Sequence, residues 1–158
     1  MFRADCHIHT RNSDGYHLFD EILEMAVKSN LTHIAVTDHD TLKGYDEIKT
    51  KSEKFGIKTV KSLEISAIDK NTGIRVHLLG YNIKKDHIIE SLCKDIVQQR
   101  NEKAKKQVEV LNKIGYKIDY DELYEFSKGY IFKQQIFDIL LMSGQTEKNI
   151  FKHKRDAI

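Results

Sequence analysis

Two short segments decide how this chain is read: Asp5-Cys6-His7-Ile8-His9-Thr10 near its start and Thr37-Asp38-His39-Asp40-Thr41 after it. Around the first, Phe2, Ala4, Cys6 and Ile8 alternate with Arg3, Asp5, His7 and His9, a period of two that predicts a β-strand. Successive side chains on a strand leave opposite faces, so His7, His9 and Asp5 share one face, and the two imidazoles can meet one metal ion or two adjacent ones. The second segment closes a short apolar strand, His33-Ile34-Ala35-Val36-Thr37. Between the two, the turn-forming Asn12-Ser13-Asp14-Gly15 leads into Phe19, Ile22, Leu23, Ala26 and Val27, whose steps of three and four residues predict an amphipathic helix ending near Asn30.

Working outward, Tyr45, Ile48, Ser52 and Phe55 mark a second helix stopped by Gly56. Ile57 to Ser66 and Ile74 to Tyr81 read as further strands, joined across Asp69-Lys70-Asn71-Thr72-Gly73, whose Asn and Gly supply turn chemistry. Alternating β and α units predict an α/β fold with a mainly parallel sheet, open or closed into a barrel. From Ile88 to Ile114 the apolar spacing predicts one helix, roughly 40 Å long and stopped by Gly115, too long for a typical crossover. Asp121 to Lys128 and Phe132 to Met142 read as two shorter helices. The expected organisation is therefore a β-rich part, residues 1 to 84, followed by a helical segment, residues 85 to 158.

The 158 residues are 40% hydrophobic and 32% charged, the make-up of one soluble globular domain. At this length roughly two thirds of the unfolded surface can be buried, so no disulfide staples are needed. Cys6 and Cys93 fit that reading: they stand in no CxxC or metal spacing, and predict reduced thiols in an intracellular protein. Neither a signal peptide nor a run of about 18 apolar residues is present, so a cytoplasmic location is expected. The net charge of +2 argues against a protein built to coat nucleic acid. Lys103, Lys105 and Lys106 beside Arg100 read as a solvated helix face, and Tyr81, Tyr116, Tyr124 and Tyr130 as core or interface residues.

Four of the eight histidines, His7, His9, His39 and His77, lie inside short polar motifs. Glu64 interrupts Ser62-Leu63-Glu64-Ile65-Ser66, where a strand rarely carries an acid unless it is exposed or liganded, and His77 does the same in Val76-His77-Leu78-Leu79-Gly80. These residues fall near strand ends, where α/β architectures build their sites. With Asp14 they form a mixed nitrogen and oxygen donor set suited to Zn, Mn or Fe rather than Ca or Mg. Six ligands exceed a tetrahedral set, so more than one ion is expected.

Taken in order, Asp5-Cys6-His7-Ile8-His9-Thr10 with Ser13-Asp14-Gly15, Thr37-Asp38-His39-Asp40-Thr41 with Gly44, Leu63-Glu64-Ile65-Ser66, and Val76-His77-Leu78-Leu79-Gly80-Tyr81 resemble the first motifs of the PHP (polymerase and histidinol phosphatase) phosphoesterases. The nearest branch in that resemblance is the stand-alone, TrpH-like one, in which a helical insertion follows the His-Leu-Leu-Gly-Tyr strand. The resemblance implies part of a distorted (β/α)7 barrel, two or three divalent ions (Mn, Zn or Fe), His7, His9, Asp14, His39, Glu64 and His77 as metal ligands, and Glu64 bridging two ions. It also implies catalytic roles for Glu64, Asp38 and Asp40, the two aspartates standing behind the ligands to orient an imidazole.

Two departures from the family pattern stand out. The chain reaches Ile158 without the His-Pro and Asp-x-His motifs that bring relatives back to the barrel, which implies a truncated, split or degenerate member whose barrel is unclosed. Where relatives carry Arg-x-His for substrate phosphate, this chain has Lys133 and Gln135; Lys133 offers a point charge without the planar fork of Arg. His153 is a candidate substitute for a missing ligand.

The expected function is metal-dependent hydrolysis of phosphate esters of nucleotides, short oligonucleotides or small metabolites through a metal-activated hydroxide. The alternative is a metal-binding, catalytically incomplete domain that acts as a subunit or regulatory module, with self-association covering its open strand edges. A redox iron site is a third reading that the donor set permits.

Overall fold

The structure, a computed structural model, describes residues 1–146. His153 lies outside the described residues. The period-two pattern at the start becomes β1 (Ala4–Ile8), the amphipathic stretch α1 (Phe19–Lys28), and the apolar run β2 (His33–Val36). There follow α2 (Tyr45–Lys54), β3 (Lys58–Thr59), β4 (Ser62–Ile68) and β5 (Arg75–Tyr81). Three helices complete the described chain: α3 (Asp86–Lys113), α4 (Tyr120–Phe126) and α5 (Lys133–Met142).

β2 lies between β1 and β3, with both pairings parallel. Two elements here differ from the sequence expectation. Ile57 to Ser66 forms β3 and β4 rather than one strand, yet both run along the same neighbour in one register: His33 pairs with Lys58, Ile34 with Thr59 and, past the break, His39 with Glu64. The last pairing is fixed by Asp40 N–H donating to Glu64 C=O at 2.8 Å and Glu64 N–H donating to Asp38 C=O at 3.1 Å. The strands are also not all parallel: β4 and β5 form a separate two-stranded antiparallel sheet, from Ser62 opposite Tyr81 to Ile68 opposite Arg75, which meets the first sheet at the His39 and Glu64 pairing. A connection as short as Asp69 to Gly73 cannot carry a crossover, so only a hairpin is open to it. Its Asp69 carboxylate accepts from the N–H groups of Asn71 and Thr72, and Gly73 takes φ 71°.

The apolar stripe of α1 meets β2 and α2 in one core of Phe19, Leu23, Ala26, Ile34, Val36, Ile48 and Ile57. Glu21 accepts from the Leu18 N–H at the start of α1, and Gly56, at φ 69°, turns the chain out of α2. This core leaves the carboxyl ends of β1 and β2 free to carry polar side chains.

The chain divides within α3 into two units, residues 1–99 and residues 100 onward. In the second, Ala104 and Val108 of α3 pack with Ile118, Leu123, Ile131, Ile136 and Leu140. Two asparagines bracket its loops: Asn112 donates to Ile118 C=O and accepts from Ile118 N–H, while Asn101 donates to Gly129 C=O and accepts from Ile131 N–H. Tyr116 packs on this core, whereas Tyr81 in the first unit is exposed and donates its hydroxyl to Cys6 C=O at 2.7 Å. Neither Cys6 nor Cys93 forms a disulfide, and no described helix is long and apolar enough to cross a membrane.

Leu23 is 1% exposed at the centre of the first core. Leu23→Ala is expected to destabilise that unit by about 2–5 kcal/mol, read as a lowered urea midpoint by circular dichroism.

Candidate metal centre

Glu64, the third residue of β4, organises a cluster that joins the carboxyl ends of β1 and β2 to His77 of β5. Its side chain is 3% exposed, yet imidazoles reach it from three separate segments of the first unit. Oε2 lies 2.8 Å from His7 Nε2, 2.9 Å from His9 Nε2 and 3.9 Å from His39 Nε2, while Oε1 lies 2.6 Å from His77 Nδ1. The rings follow one another around the carboxylate with centroid separations of 5.1 Å for His7 and His9, and 4.8 Å for both His9 with His39 and His39 with His77. Asp14 closes the set, with Oδ1 3.2 Å from His9 Nδ1 and Oδ2 3.7 Å from His39 Nε2.

All six ligands expected from the sequence therefore come together, in three overlapping groups. These are His7, His9 and Glu64; His9, Asp14 and His39; and His39, Glu64 and His77, with the candidate ligand atoms in each within 4.8 Å of one another. Glu64, His9 and His39 each belong to two groups.

Local backbone geometry produces this convergence. The chain beyond β1 folds back so that Ser13 N–H and Gly15 N–H both donate to Thr10 C=O, at 3.1 and 3.0 Å. A Cβ on Gly15 would stand 2.3 Å from His9 O, so only glycine permits the close approach that returns Asp14 to His9. On the other side, the pairing of His39 with Glu64 sets two candidate ligands side by side, and the hairpin brings His77 back beside them.

Charge is balanced within the cluster. Burial pushes the Glu64 carboxyl up, but the His7 hydrogen bond and the imidazoles of His39, His9 and His77 outweigh it and hold the group below its ordinary range. Asp14 is likewise raised by burial and lowered further by His9 and His39, for a net downward shift. The hydrogen bond to Asp14 raises His9 against the opposing effect of burial. Burial lowers His39, despite the attraction of Asp14 and Glu64. Ionised carboxylates beside a neutral imidazole are the protonation states in which these groups bind metal, and a nitrogen and oxygen set of this kind fits Zn, Mn or Fe.

Asp38 and Asp40 flank His39 and are both buried. Asp38 Oδ1 accepts from Thr10 N–H at 2.7 Å and Ser13 Oγ–H at 2.6 Å, and its Oδ2 from Thr10 Oγ1–H at 2.6 Å. Asp40 accepts from the N–H and hydroxyl of Ser66, at 2.7 and 2.9 Å. Asp38 thus reaches the loop after β1, and Asp40 reaches β4. Sequence reading missed Thr10, Ser13 and Ser66 as parts of the site. The available signal was indirect: an acid next to a buried strand needs donors, and short hydroxyl residues in the neighbouring motifs supply them.

Lys133 is the exposed first residue of α5 in the helical unit, where it lines a groove of about 460 Å³ with Lys106, Val110, Leu111 and Ile136. Gln135, by contrast, is buried and accepts the Phe132 N–H at 2.9 Å, a capping contact at the start of α5.

Residues 5–155 match the PHP domain family. This chain belongs to that family. Among its relatives, this PHP domain is 29% identical over 139 residues to phosphoribosyl 1,2-cyclic phosphate 1,2-diphosphodiesterase of Eggerthella lenta, a match covering 86% of this chain and 53% of that protein. It is 27% identical over 156 residues to a 5'-3' exoribonuclease of Haemophilus influenzae, covering 97% and 56%. Of solved structures, an amidohydrolase from Chromobacterium violaceum with bound sulfate and no metal superposes with a TM-score of 0.74 at 25% identity, over 90% of this chain and 51% of that one. This PHP domain thus spans about half the length of the relatives it matches, and its fold is α/β of the PHP type.

The His9 and Asp14 pair gives the metal-free PHP domain a defined pH response. His9, held above the ordinary 6.5, contributes stabilisation that is lost as pH rises through its folded pKa, and Asp14, held below its ordinary value, contributes stabilisation that is lost as pH falls through its own, so the pair stabilises the fold between the two. Asp14→Asn is expected to move the His9 titration midpoint downward, as read by NMR of its ring protons.

Proposed function

We propose that this PHP domain holds two or three divalent cations of the Zn, Mn or Fe kind and takes part in hydrolysing phosphate esters of nucleotides, short oligonucleotides or small metabolites. The observation that carries this reading is one buried carboxylate, Glu64, shared by two of three overlapping donor groups. Each of the three groups, His7 with His9 and Glu64, His9 with Asp14 and His39, and His39 with Glu64 and His77, would suit one ion, with a shared imidazole nitrogen serving one ion at a time. Bound there, divalent cations supply charge neutralisation at phosphoryl oxygens and a lowered pKa for water.

The chain's own residues supply the rest. Glu64 and His39 form the buried floor of the cluster, while half-exposed His7 and His77 mark its open side, by which a phosphate ester enters. Lys133 is proposed as a point charge for substrate phosphate. Relatives named for a ribosyl cyclic phosphate, for RNA and for a 3',5'-nucleoside bisphosphate support phosphorylated nucleosides and sugars as the substrate class. The strands are proposed as the first part of a distorted (β/α)7 barrel, residues 1 to 84, with residues 85 to 158 a helical insertion. Two cysteines outside any disulfide favour a reducing compartment such as the cytoplasm.

A second reading, a metal-binding subunit completed by another chain or by self-association, has its own support. Among the described strands, β1 and β5 each pair on one side only, and β5 exposes Leu78 and Leu79. Such edges are templates for further pairing.

Metal content by mass spectrometry, paired with p-nitrophenyl phosphate turnover in added Mn or Zn, tests the first reading. The protein is expected to retain two or three ions, and Glu64→Ala or His7→Ala to lose metal and on the order of 100-fold or more in turnover. Unchanged metal and turnover in both variants would sink it. Light scattering tests the second reading: association that rises with concentration supports it, and a monodisperse monomer with high turnover removes it.

A further inference from the structure

Burying a carboxylate is costly unless donors surround it. Asp38 and Asp40 are 3% and 1% exposed, and they bracket a candidate ligand, His39. The identity of their donors is informative. Asp38 takes both the N–H and the hydroxyl of Thr10, which follows His9, and the hydroxyl of Ser13, which precedes Asp14. One carboxylate therefore grips the loop at the neighbours of two ligands. Asp40 takes the N–H and hydroxyl of Ser66, two residues along β4 from Glu64, and its own N–H donates to Glu64 C=O.

The backbone carries a second mark of the same arrangement. Asp40 adopts φ 55°, the left-handed region that aspartate tolerates better than most residues. That turn comes directly after His39, where its N–H meets β4 and its side chain meets Ser66. Asp38 and Asp40 thus point their hydrogen bonds to opposite neighbours of β2: one to the loop beyond β1, the other to β4.

Resting on the metal-centre reading above, we infer that Asp38 and Asp40 are positioning residues: Asp38 holds the loop that bears Asp14, and Asp40 holds the strand that bears Glu64, so that both carboxylate ligands are registered against His39. Neither aspartate needs to touch a metal ion for this. Each fixes how far a ligand on a neighbouring segment lies from the imidazole between them, and loss of either loosens one donor group before it unfolds the core.

Cobalt(II) binding to the protein and its variants tests this, because visible absorption reports ligand geometry separately from stability. Asp38→Asn keeps one acceptor for Thr10 and Ser13, and Asp38→Ala keeps none. Asp40→Gly keeps the left-handed turn but loses both bonds to Ser66, and Asp40→Asn restores an acceptor. Asp38→Ala and Asp40→Gly are expected to weaken binding of one cobalt ion by about 10–100-fold and to change its absorption spectrum, with the asparagine variants intermediate. Should Asp38→Ala fail to fold, Asp38→Asn and Asp40→Gly decide the matter. Wild-type affinity and spectrum in Asp38→Asn and Asp40→Gly would overturn the positioning roles while leaving the metal centre intact. A wild-type protein that binds no cobalt would overturn both readings.

Discussion

The carboxylate of Glu64, 3% exposed and approached to within 2.6–2.9 Å by nitrogens of His7, His9 and His77, constrains the rest of the first unit. An ionised acid in that position is tolerable only with compensating partners, and the imidazoles that supply them are themselves the candidate donors for divalent ions. Three segments must therefore end at one place: β1, the extension of β2 and the β4–β5 hairpin. The shared register of β3 and β4 along β2 secures the middle of this arrangement, because it sets Glu64 next to His39.

Around that centre the fold uses inexpensive local devices. Gly15 allows the loop after β1 to close against its own strand, and small hydroxyl residues occupy the space under the aspartates that flank His39. The apolar core formed by α1, β2 and α2 carries the packing energy, which leaves the polar end free for chemistry. The helical unit solves a separate problem in the same manner: one apolar cluster, with two asparagine side chains substituting for backbone partners in the loops.

Much of this was legible in the sequence. Period-two and helical spacings located β1, α1, α2, α3 and α5 within a few residues, since those patterns record which face of an element is buried. The break between β3 and β4 was not legible, because the polar pairs Lys58-Thr59 and Lys61-Ser62 interrupt the alternation of Ile57 to Ser66 without marking which residues leave the sheet. Thr10, Ser13 and Ser66 were hidden for a related reason: a small hydroxyl residue at a strand end carries no periodic signal, and its role depends on which acid the fold brings to it.

The sequence by itself determined the chemistry at hand, four imidazoles and two acids within ordered motifs, since ligand type and strand periodicity are local properties. Only the tertiary structure decided that the six meet in three groups about Glu64, and that Asp38 and Asp40 spend their oxygens on the neighbouring loop and strand. Those outcomes depend on strand register and on close backbone approach, which join residues far apart in the chain and leave no trace in local spacing.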